Sequence, residues 1–453
     1  MRQYGRLICE RAFLRHLKKS DFMSNKTLAN LRARGLIFQV AGEDTLDAWL
    51  DEAPRTLYCG FDPTADSLHI GSLVPLLVLR RFQESGHRPI ALVGGGTGLI
   101  GDPSFKTEER QLHATAVVSA WVDRLRLQVD RFLDFSSDYP ALLVNNLEWI
   151  QNVSVLDFMR DIGKHFSVNS MINKESVRQR IDREGVGISF TEFSYMTLQA
   201  MDYAELYRRH GCGLQIGGSD QWGNITAGIE LTRRIHSAQV YGLTLPLITK
   251  SDGTKFGKTE TGTVWLDPQK TSPYAFYQYW LGTADADVYR FLQYFTFLSL
   301  TEIEEIRCAD QFRQGKPGAQ LRLAEEVTRL VHGEEGFIAA KRITNALFSE
   351  ENILLSIADF EQLALDGLRA DTIVRSKFPA TFSQFLTECG TANGRQIKDA
   401  LGRQAVWVNG ERVGGGPSVT CDDALKRSKA LHGKFYLIRV GKKRHHLLID
   451  HVN

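Results

Sequence analysis

The features that the sequence lacks narrow the possible classes of protein. No window of its 453 residues approaches about 18 consecutive uncharged apolar residues, so a membrane-spanning helix is not expected. The six cysteines include no Cys-x-x-Cys pair, which argues against a zinc site and a secreted disulfide framework and indicates a reducing cytosol. A large net charge is missing too, since the formal charge is +2. Any nucleic-acid-binding surface must therefore be a local patch.

The composition is that of an ordinary globular protein, with 43% apolar and 24% charged residues, and the length fits about two or three domains. The element pattern predicts five segments. They are an N-terminal extension at 1–22, an α/β domain at 23–270, a helical region at 271–348, a linker at 349–379 and a small α+β domain at 380–453.

The extension at 1–22 carries six basic residues against two acidic ones, interleaved with apolar side chains. This composition fits an organelle transit peptide, which would place the protein in the mitochondrial matrix. The alternative is an over-extended start, with Met23 as the true first residue and a cytoplasmic protein. We prefer the interpretation in which Met23 is the true first residue.

The stretch from Leu57 to Ser72 predicts a strand at Leu57–Phe61, a tight turn and the start of a helix. It places Thr64 and His69 close to that helix start. Unpaired backbone N–H groups at a helix N-terminus suit an anion such as a phosphate chain. A simple capped turn with a lone histidine is the alternative.

A glycine-rich loop follows the predicted strand Pro89–Val93. Gly96, Gly98 and Gly101 match the G-x-G-x-x-G pattern of dinucleotide binders, so a nicotinamide-dependent dehydrogenase has to be considered. Asp102 and a proline interrupt the helix that this fingerprint needs, which favours a ligand-contacting loop. Asp102 would then offer a carboxylate to a cation such as a substrate ammonium, or it simply belongs to a turn.

Alternating helices and strands continue with a helix at about Glu108–Leu133 and a strand at Ala141–Val144. The alternation predicts a parallel sheet with right-handed crossovers and ligands at the carboxyl ends of its strands. A second strand–glycine–helix unit at Leu214–Asn224 resembles the first, with Ser219 or Asp220 as the helix cap. Two such loops on one sheet would clasp a nucleotide.

A polar stripe lies on the predicted helix Phe190–Arg209. Tyr195, Gln199 and Asp202 recur at helical spacing and share one face of an otherwise apolar helix. An unpaired buried carboxylate is costly, so Asp202 must face solvent or find a partner such as a ligand hydroxyl.

The loop Lys250–Thr259 is polar, punctuated by glycine and carries three lysines. Lysines on a flexible loop can close over phosphates, whereas the ordinary alternative is a solvated hairpin loop. After Thr271 the pattern becomes helical, and its aromatic residues predict a core or a subunit interface.

The C-terminal segment contains a predicted hairpin at Ala405–Val413 with Asn-Gly at its turn. Basic residues are concentrated around it, and they predict an RNA-facing patch, since lysine and arginine supply phosphate contacts. These residues are Arg395, Lys398, Arg403, Lys426, Arg427, Lys429, Lys434, Arg439, Lys442, Lys443, Arg444, His445 and His446.

Taken together, these motifs resemble those of bacterial-type tyrosyl-tRNA synthetases, a family of class I aminoacyl-tRNA synthetases. The segment His69-Ile-Gly-Ser72 resembles the "HIGH" signature, and Lys255-Phe-Gly-Lys-Thr259 is similar to the "KMSKS" loop. The segment Gly217–Asn224 resembles the family's nucleotide loop. The resemblance extends from Leu28 onward and implies a Rossmann-like catalytic domain, a helical anticodon-binding region and an S4-like RNA-binding domain.

The resemblance also implies an activity. The protein would activate L-tyrosine with ATP, release pyrophosphate and pass the tyrosyl group to the 3'-terminal adenosine of tRNA(Tyr). ATP would be a substrate accompanied by Mg²⁺, with no tightly bound cofactor and no metal held by the protein. A homodimer is implied, and neither a membrane nor DNA is expected as a partner.

The implied site has three groups of residues. Those expected to bind tyrosine are Tyr58, Asp102, Tyr195, Gln199, Asp202 and Gln221. Those expected to bind ATP are Cys59, Gly60, Asp62, Gly71, Ser72, Gly218, Asp220 and Lys258. Those expected to stabilise the leaving pyrophosphate are Thr64, His69, Lys106, Arg110, Lys255, Lys258 and Thr259.

The sequence departs from the family pattern at Ser72, where a second histidine or an asparagine is usual, and its ribose contact is therefore in doubt. Two other functions stay open at this point. One is a catalytically idle RNA-binding paralogue on the same scaffold, and the other is the dehydrogenase suggested by the glycine loop.

Overall fold

The computed structural model describes residues 27–102, 104, 113–174, 177–178, 181, 187–254, 256–259, 262–312, 318–348, 354–441 and 444–450. The N-terminal extension at 1–22 lies outside these residues. The chain divides into two compact units, Met1–Thr263 with Tyr289–Glu304, and Val264–Val288 with Glu305–Asn453. None of the described helices is long and apolar enough to cross a membrane.

The first unit alternates helices and strands. Its elements are α1 Thr27–Ala33, β1 Gln39–Ala41, α2 Glu43–Glu52, β2 Thr56–Phe61, α3 Leu73–Glu84, β3 Arg88–Val93, α4 Thr115–Val129, β4 Leu142–Asn145, α5 Leu147–Ile150, α6 Val155–Asp157, α7 Val168–Ile172, α8 Phe190–His210, β5 Cys212–Gly218, α9 Trp222–His236, β6 Tyr241–Leu245, β7 Lys258–Thr259 and β8 Gly262–Thr263.

Six of these strands form one twisted sheet in the order β1-β6-β5-β2-β3-β4. All neighbours are parallel except β1, which pairs antiparallel with β6 at the edge. The prediction of a wholly parallel sheet is therefore wrong at this edge. Only α2 separates β1 from β2, and the three residues of β1 give almost no periodic signal in the sequence.

The direction in which successive strands are added to the sheet reverses between β2 and β5. Strands β3 and β4 extend the sheet on one side of this point, and β6 extends it on the other. Ligands of such sheets bind beyond the carboxyl ends of the strands at this switch point. Both central strands are mostly buried, and their apolar side chains meet those of α8 and α9 in one core. This packing fixes the start of every loop at the switch point.

The second unit is helical first and mixed later. Its elements are α10 Pro273–Leu281, α11 Asp285–Phe295, α12 Leu300–Gln311, α13 Gly318–Phe348, α14 Ile357–Gln362, β9 Ala370–Ile373, α15 Phe382–Glu388, α16 Gly394–Gly402, β10 Val406–Val408, β11 Glu411–Arg412, α17 Cys421–Ala424, β12 Phe435–Val440 and β13 Arg444–Asp450. The division between the two units falls within α11 and within α12.

The five C-terminal strands form a sheet in the order β11-β10-β12-β13-β9. The predicted hairpin is present, and Asn409 and Gly410 adopt the positive φ angles that an Asn-Gly turn requires. Strand β9, however, lies inside the predicted linker at 349–379 and pairs parallel with β13. Residues 354–379 of that segment therefore contain secondary structure, and β9 belongs to the C-terminal sheet.

The interpretation of the segment as a linker was wrong because its pairing partner is far away in the sequence. Helix α14 and β9 are short, and neither shows helical or strand periodicity for long enough to be recognised. Phe360 of α14 stacks on Phe435 of β12, with ring centroids 4.6 Å apart. The helical region and the C-terminal sheet thus share one cluster of buried apolar side chains.

Candidate active site

The candidate site lies at the carboxyl ends of the central strands. Asp62 follows β2, the glycine loop follows β3, Asn146 follows β4, and Asp220 and Gln221 follow β5. Helix α8 covers the same region with the predicted polar stripe. The sequence pattern alone leads to most of these positions, since each lies within three residues of the end of a strand.

A carboxylate is buried in the middle of this region. Asp202 is only 1% exposed, and its two oxygens accept hydrogen bonds from Trp149 Nε1 at 2.8 Å and from Asn146 Nδ2 at 2.9 Å. Burial raises the pKa of Asp202 to about 8, although the two hydrogen bonds act in the opposite direction. The solvent-facing alternative for Asp202 is therefore excluded.

The hydrogen bonds continue from Asp202 to the loops. Asn146 Nδ2 also donates to Thr97 Oγ1 at 2.9 Å, and Thr97 Oγ1 donates to a carboxylate oxygen of Asp62 at 2.7 Å. The other oxygen of Asp62 accepts from the Tyr195 hydroxyl at 2.6 Å. A single network thus connects α8, the glycine loop and the ends of β2 and β4, which holds these groups in fixed orientations.

Tyr58 of β2 offers a hydroxyl to this pocket. The residue is 1% exposed, and its oxygen is buried with no hydrogen-bond partner among the described residues. The ring packs edge-on against Tyr203, and Asp202 lies near enough to help raise the pKa of Tyr58 above its usual range, after burial as the main cause. A buried hydroxyl without a partner is costly, so this atom is suited to a polar group of a ligand.

A second polar group lies around Gln221. Its Nε2 donates to an Asp102 oxygen at 2.7 Å, and its Oε1 accepts from Gln199 Nε2 at 3.3 Å. The Oε1 of Gln199 is buried with no hydrogen-bond partner in the described chain. Asp102, Tyr195 and Gln199 therefore supply oxygen atoms that can accept hydrogen bonds from an ammonium group.

The glycines after β3 are needed for packing within the protein. A Cβ on Gly94 would lie 1.9 Å from an Asp62 oxygen, and one on Gly98 would lie 2.9 Å from the ring of Pro63. The loop holds the network in place and leads into a short 3₁₀ turn, Thr97–Leu99. This geometry supports a loop and not the long helix that a dinucleotide fingerprint requires.

His69 lies on the exposed side of the turn after β2 and caps the 3₁₀ turn Ile70–Ser72. Its Nδ1 accepts a hydrogen bond from the Gly71 amide at 3.0 Å. In the neutral ring the proton must then be on Nε2, which makes that nitrogen a hydrogen-bond donor. Thr64 is exposed in the same turn. Ser72 ends the turn, directly before α3.

The loop after β5 approaches β2 from its other side. Asp220 contributes to raising the pKa of the buried Cys59 thiol to about 12, after burial as the main cause, so the two groups are close neighbours. A Cβ on Gly218 would lie 2.3 Å from an Asp220 oxygen. Gly60 of β2 is exposed and has no side chain, so a ligand can contact the backbone directly at this position.

Several predicted residues are not described by the structure. Lys106, Arg110 and Lys255 lie outside the described residues, and only the backbone of Lys258 and Thr259 is described, as strand β7. Their predicted roles at the phosphates stay predictions.

The sequence analysis did not identify three residues of the buried network, namely Thr97, Asn146 and Trp149. Asn146 had a usable signal, because it is a polar residue at the carboxyl end of a predicted strand. Trp149 and Thr97 had none, since their roles follow from contacts with Asp202 and Asp62 that only the fold creates.

The family model for tRNA synthetases class I (W and Y) matches residues 50–349 of this chain. The chain belongs to the class I tRNA synthetases. Among its relatives, the tyrosine–tRNA ligase of Aliivibrio salmonicida is 59% identical over 428 residues, which is 94% of this chain and 99% of that protein. That of Neisseria meningitidis serogroup C is 54% identical, over 93% of this chain and 99% of its own length.

A solved structure agrees with this family assignment. A C-terminally truncated Aspergillus nidulans mitochondrial tyrosyl-tRNA synthetase superposes with a TM-score of 0.65 at 30% identity, covering 71% of this chain and 94% of that one. The predicted resemblance to bacterial-type tyrosyl-tRNA synthetases is thereby confirmed, as is the Rossmann-like α/β domain.

The raised pKa of Asp202 predicts a pH effect on the stability of the synthetase. Between pH 3.8, the ordinary pKa of an aspartate, and about pH 8, the folded chain holds a proton on Asp202 that the unfolded chain has released. The free energy of unfolding should therefore fall as pH rises through this window, by at most about 1.4 kcal/mol per pH unit from this group. We expect Asp202→Asn to lose that slope in denaturant unfolding at a series of pH values. If the free energies of unfolding of the two proteins changed with pH in the same way, the burial of an ionisable group at this position would be contradicted.

Proposed function

We propose that this chain is a tyrosine–tRNA ligase that forms tyrosyl-adenylate from L-tyrosine and ATP and then charges tRNA(Tyr) at its 3'-terminal adenosine. The observation that carries the proposal is that two buried groups, the unpartnered Tyr58 hydroxyl and the Asp202 carboxyl, lie near each other beside the switch point of the sheet. Relatives named tyrosine–tRNA ligase over nearly the whole chain support it.

In this proposal the phenolic hydroxyl of tyrosine bonds to Tyr58 and Asp202. The substrate ammonium bonds to Asp102, Tyr195 and Gln199, while Gln221 faces its carboxylate. Phenylalanine would leave Tyr58 and Asp202 without their partner, and tyrosyl-tRNA synthetases as a class are already known to reject it by about 10⁵. A site that satisfies the hydroxyl so completely has no need of an editing step.

The chemistry needs no protein nucleophile. An oxygen of the tyrosine carboxylate attacks the α-phosphorus of ATP, the bond to the bridging oxygen breaks, and pyrophosphate leaves with the electron pair. The protein contributes position and charge stabilisation. The backbone and side chains around Cys59, Gly60, Asp62, Gly71, Ser72, Gly218, Asp220 and Lys258 would hold ATP.

Donors on both sides of the phosphates would stabilise the charge of the leaving pyrophosphate. We assign this role to Thr64, His69, Lys106, Arg110, Lys255, Lys258 and Thr259. The N–H that the Gly71 contact places on His69 Nε2 supports the assignment of His69. Mg²⁺ would enter with ATP, coordinated mainly by phosphate oxygens and water.

We further propose that the C-terminal domain is S4-like and binds tRNA. Arg395 and Lys398 are exposed on α16, Arg403 is exposed directly after it, and Lys426, Arg427 and Lys429 are exposed after α17. Phosphate contacts from such residues supply affinity that weakens with salt. His446 must be removed from the predicted patch, because it is only 1% exposed.

A homodimer completes the proposal. Apolar side chains are exposed along one short segment of the first unit, with Val155 at 74%, Leu156 at 79% and Met159 at 49%. Exposed apolar groups close together in the chain are typical of a protein interface. The bacterial relatives favour a cytoplasmic enzyme, and they give no support to the mitochondrial alternative.

Tyrosine-dependent exchange of radiolabelled pyrophosphate into ATP tests the proposed activation step. We expect exchange with L-tyrosine and none above background without an amino acid. Exchange reports reversal of adenylate formation and requires no tRNA, so it separates an active ligase from an idle RNA-binding paralogue. A purified protein that binds tyrosine but gives no exchange would refute the proposal.

A further inference from the structure

A group of potential metal ligands lies in the C-terminal sheet, away from the residues assigned to catalysis. Asp371 is on β9, Cys389 directly follows α15, and His446 is on β13. One oxygen, sulfur or nitrogen atom of each lies within 4.8 Å of the corresponding atoms of the other two. Three separate elements therefore bring these atoms together.

The sheet register explains why the groups meet. Asp371 pairs with Leu448 across the parallel β9–β13 ladder, so its side chain is on the same face as that of His446, two residues earlier on β13. On that face α15 packs through the buried Phe382 and Leu386. The Cys389 amide donates to Phe385 O at 2.9 Å, which keeps its thiol at the end of this helix.

The contact between His446 and Asp371 is unusual. Nε2 and Oδ2 are 2.7 Å apart, yet both atoms are buried without a geometrically acceptable hydrogen bond in the described chain. His446 is 1% exposed, and its Nδ1 lies 3.0 Å from the Thr391 hydroxyl. If Nδ1 donates to Thr391, Nε2 presents a lone pair to the Asp371 carboxylate, an arrangement that a bound cation would satisfy.

The contact of His446 with Thr391 also holds the ring in place. A neutral imidazole with one nitrogen fixed by a hydroxyl is the form in which histidine binds metals.

We propose that Asp371, Cys389 and His446 bind one divalent cation of the zinc class, with water as the fourth ligand. A thiolate, an imidazole and a carboxylate are a ligand set that zinc accepts, whereas magnesium and calcium require oxygen atoms. A tetrahedral site needs ligand atoms about 3.3–3.7 Å apart, given metal–ligand bonds of about 2.0–2.3 Å. In the metal-free chain His446 Nε2 and Asp371 Oδ2 are closer than this, at 2.7 Å, and the three ligand atoms lie within 4.8 Å of one another, so binding requires the side chains to move.

Binding moves one proton. The Cys389 thiol loses its proton to solvent as its sulfur bonds to the cation, so the affinity should rise with pH. The guanidinium of Arg369 lies 3.7 Å from an Asp371 oxygen and competes for it. Its side chain is 60% exposed, which lets it turn away into solvent. The bound cation would fasten β9 to the end of α15 and to β13.

Titration of the full-length, chelator-treated chain with Co²⁺ tests the site, because thiolate ligation gives a sulfur-to-cobalt charge-transfer band. We expect one Co²⁺ per chain with this band, displaced by Zn²⁺. Cys389→Ser should lose the band, and Asp371→Asn should bind about 100-fold more weakly. Thr391→Val, which removes the contact to His446 Nδ1, should bind about tenfold more weakly.

The matched control is Cys308→Ser, because Cys308 is an exposed thiol elsewhere in the same unit. It should keep both the band and the affinity. The proposal is overturned if the wild-type chain shows no thiolate band, or if Cys389→Ser retains it. A folding defect in Cys389→Ser does not obscure the result, since Asp371 is only partly buried and Asp371→Asn tests the same site.

Discussion

Replacing Asp202 with alanine should reduce tyrosine-dependent pyrophosphate exchange by at least about 10³-fold in kcat/KM, or about 4 kcal/mol of transition-state stabilisation. The substrate hydroxyl would lose its carboxyl partner in a pocket that excludes water. The change also removes the acceptor for Asn146 and Trp149, so the free energy of unfolding should fall by about 1–3 kcal/mol. Calorimetry with tyrosine separates lost binding from lost folding.

Two further variants make this result specific. Glu205→Gln removes a carboxylate from the same helix that pairs with Arg208 and Arg209, and it should leave exchange unchanged. Tyr58→Phe removes the other proposed partner and should weaken tyrosine binding about tenfold, the value of one net hydrogen bond. Unchanged tyrosine affinity in Asp202→Ala would remove Asp202 from the substrate pocket.

Replacing His69 with alanine should lower kcat for exchange by about 10²–10³-fold and leave the dissociation constant for tyrosine within twofold of wild type. The physical reason is the loss of an N–H donor to charge that develops on the phosphates, an interaction made mainly in the transition state. Steady-state exchange and equilibrium binding of tyrosine measure the two quantities separately.

The conservative variant His69→Gln keeps an N–H donor and should recover part of the rate. His210→Ala is the control for loss of a histidine, because His210 ends α8 beside the amino end of β5, on the opposite edge of the sheet from the site. An exchange rate for His69→Ala equal to that of wild type would show that His69 does not contact the phosphates.

The sequence predicted the parts of the fold that carry a long periodic signal. Strands β2 and β3 and helix α8 match their predicted bounds to within one residue at each end, because each combines a buried apolar run with clear turn or cap residues. The Asn-Gly hairpin was predictable for a local reason, since the turn residues alone fix its geometry.

The elements that were missed depend on distant partners. Strands β1 and β9 have three and four residues, and each becomes a strand only by pairing with a segment far along the chain. The glycine loop was ambiguous for a related reason. Its glycines make room for Asp62 and Pro63, and the pattern cannot distinguish close packing by a side chain from close packing by a cofactor.

The residues predicted to bind tyrosine lie in one region of the structure, although their roles stay predictions and their connections were not predictable. Tyr58, Asp102, Tyr195, Gln199, Asp202 and Gln221 lie around one region at the carboxyl end of the sheet. The sequence pattern left open whether Asp202 faced solvent. It could not reveal that Asn146, Thr97 and Trp149 link Asp202 to Asp62, since those contacts join four separate elements.

Aminoacylation of tRNA(Tyr) with a panel of all twenty amino acids tests the central claim most directly. We expect acid-precipitable charging with L-tyrosine and with no other amino acid, and we expect phenylalanine to be rejected because the buried Tyr58 hydroxyl would be left without a partner. Charging of a different amino acid in preference to tyrosine, or of none while the protein binds tRNA, would contradict it.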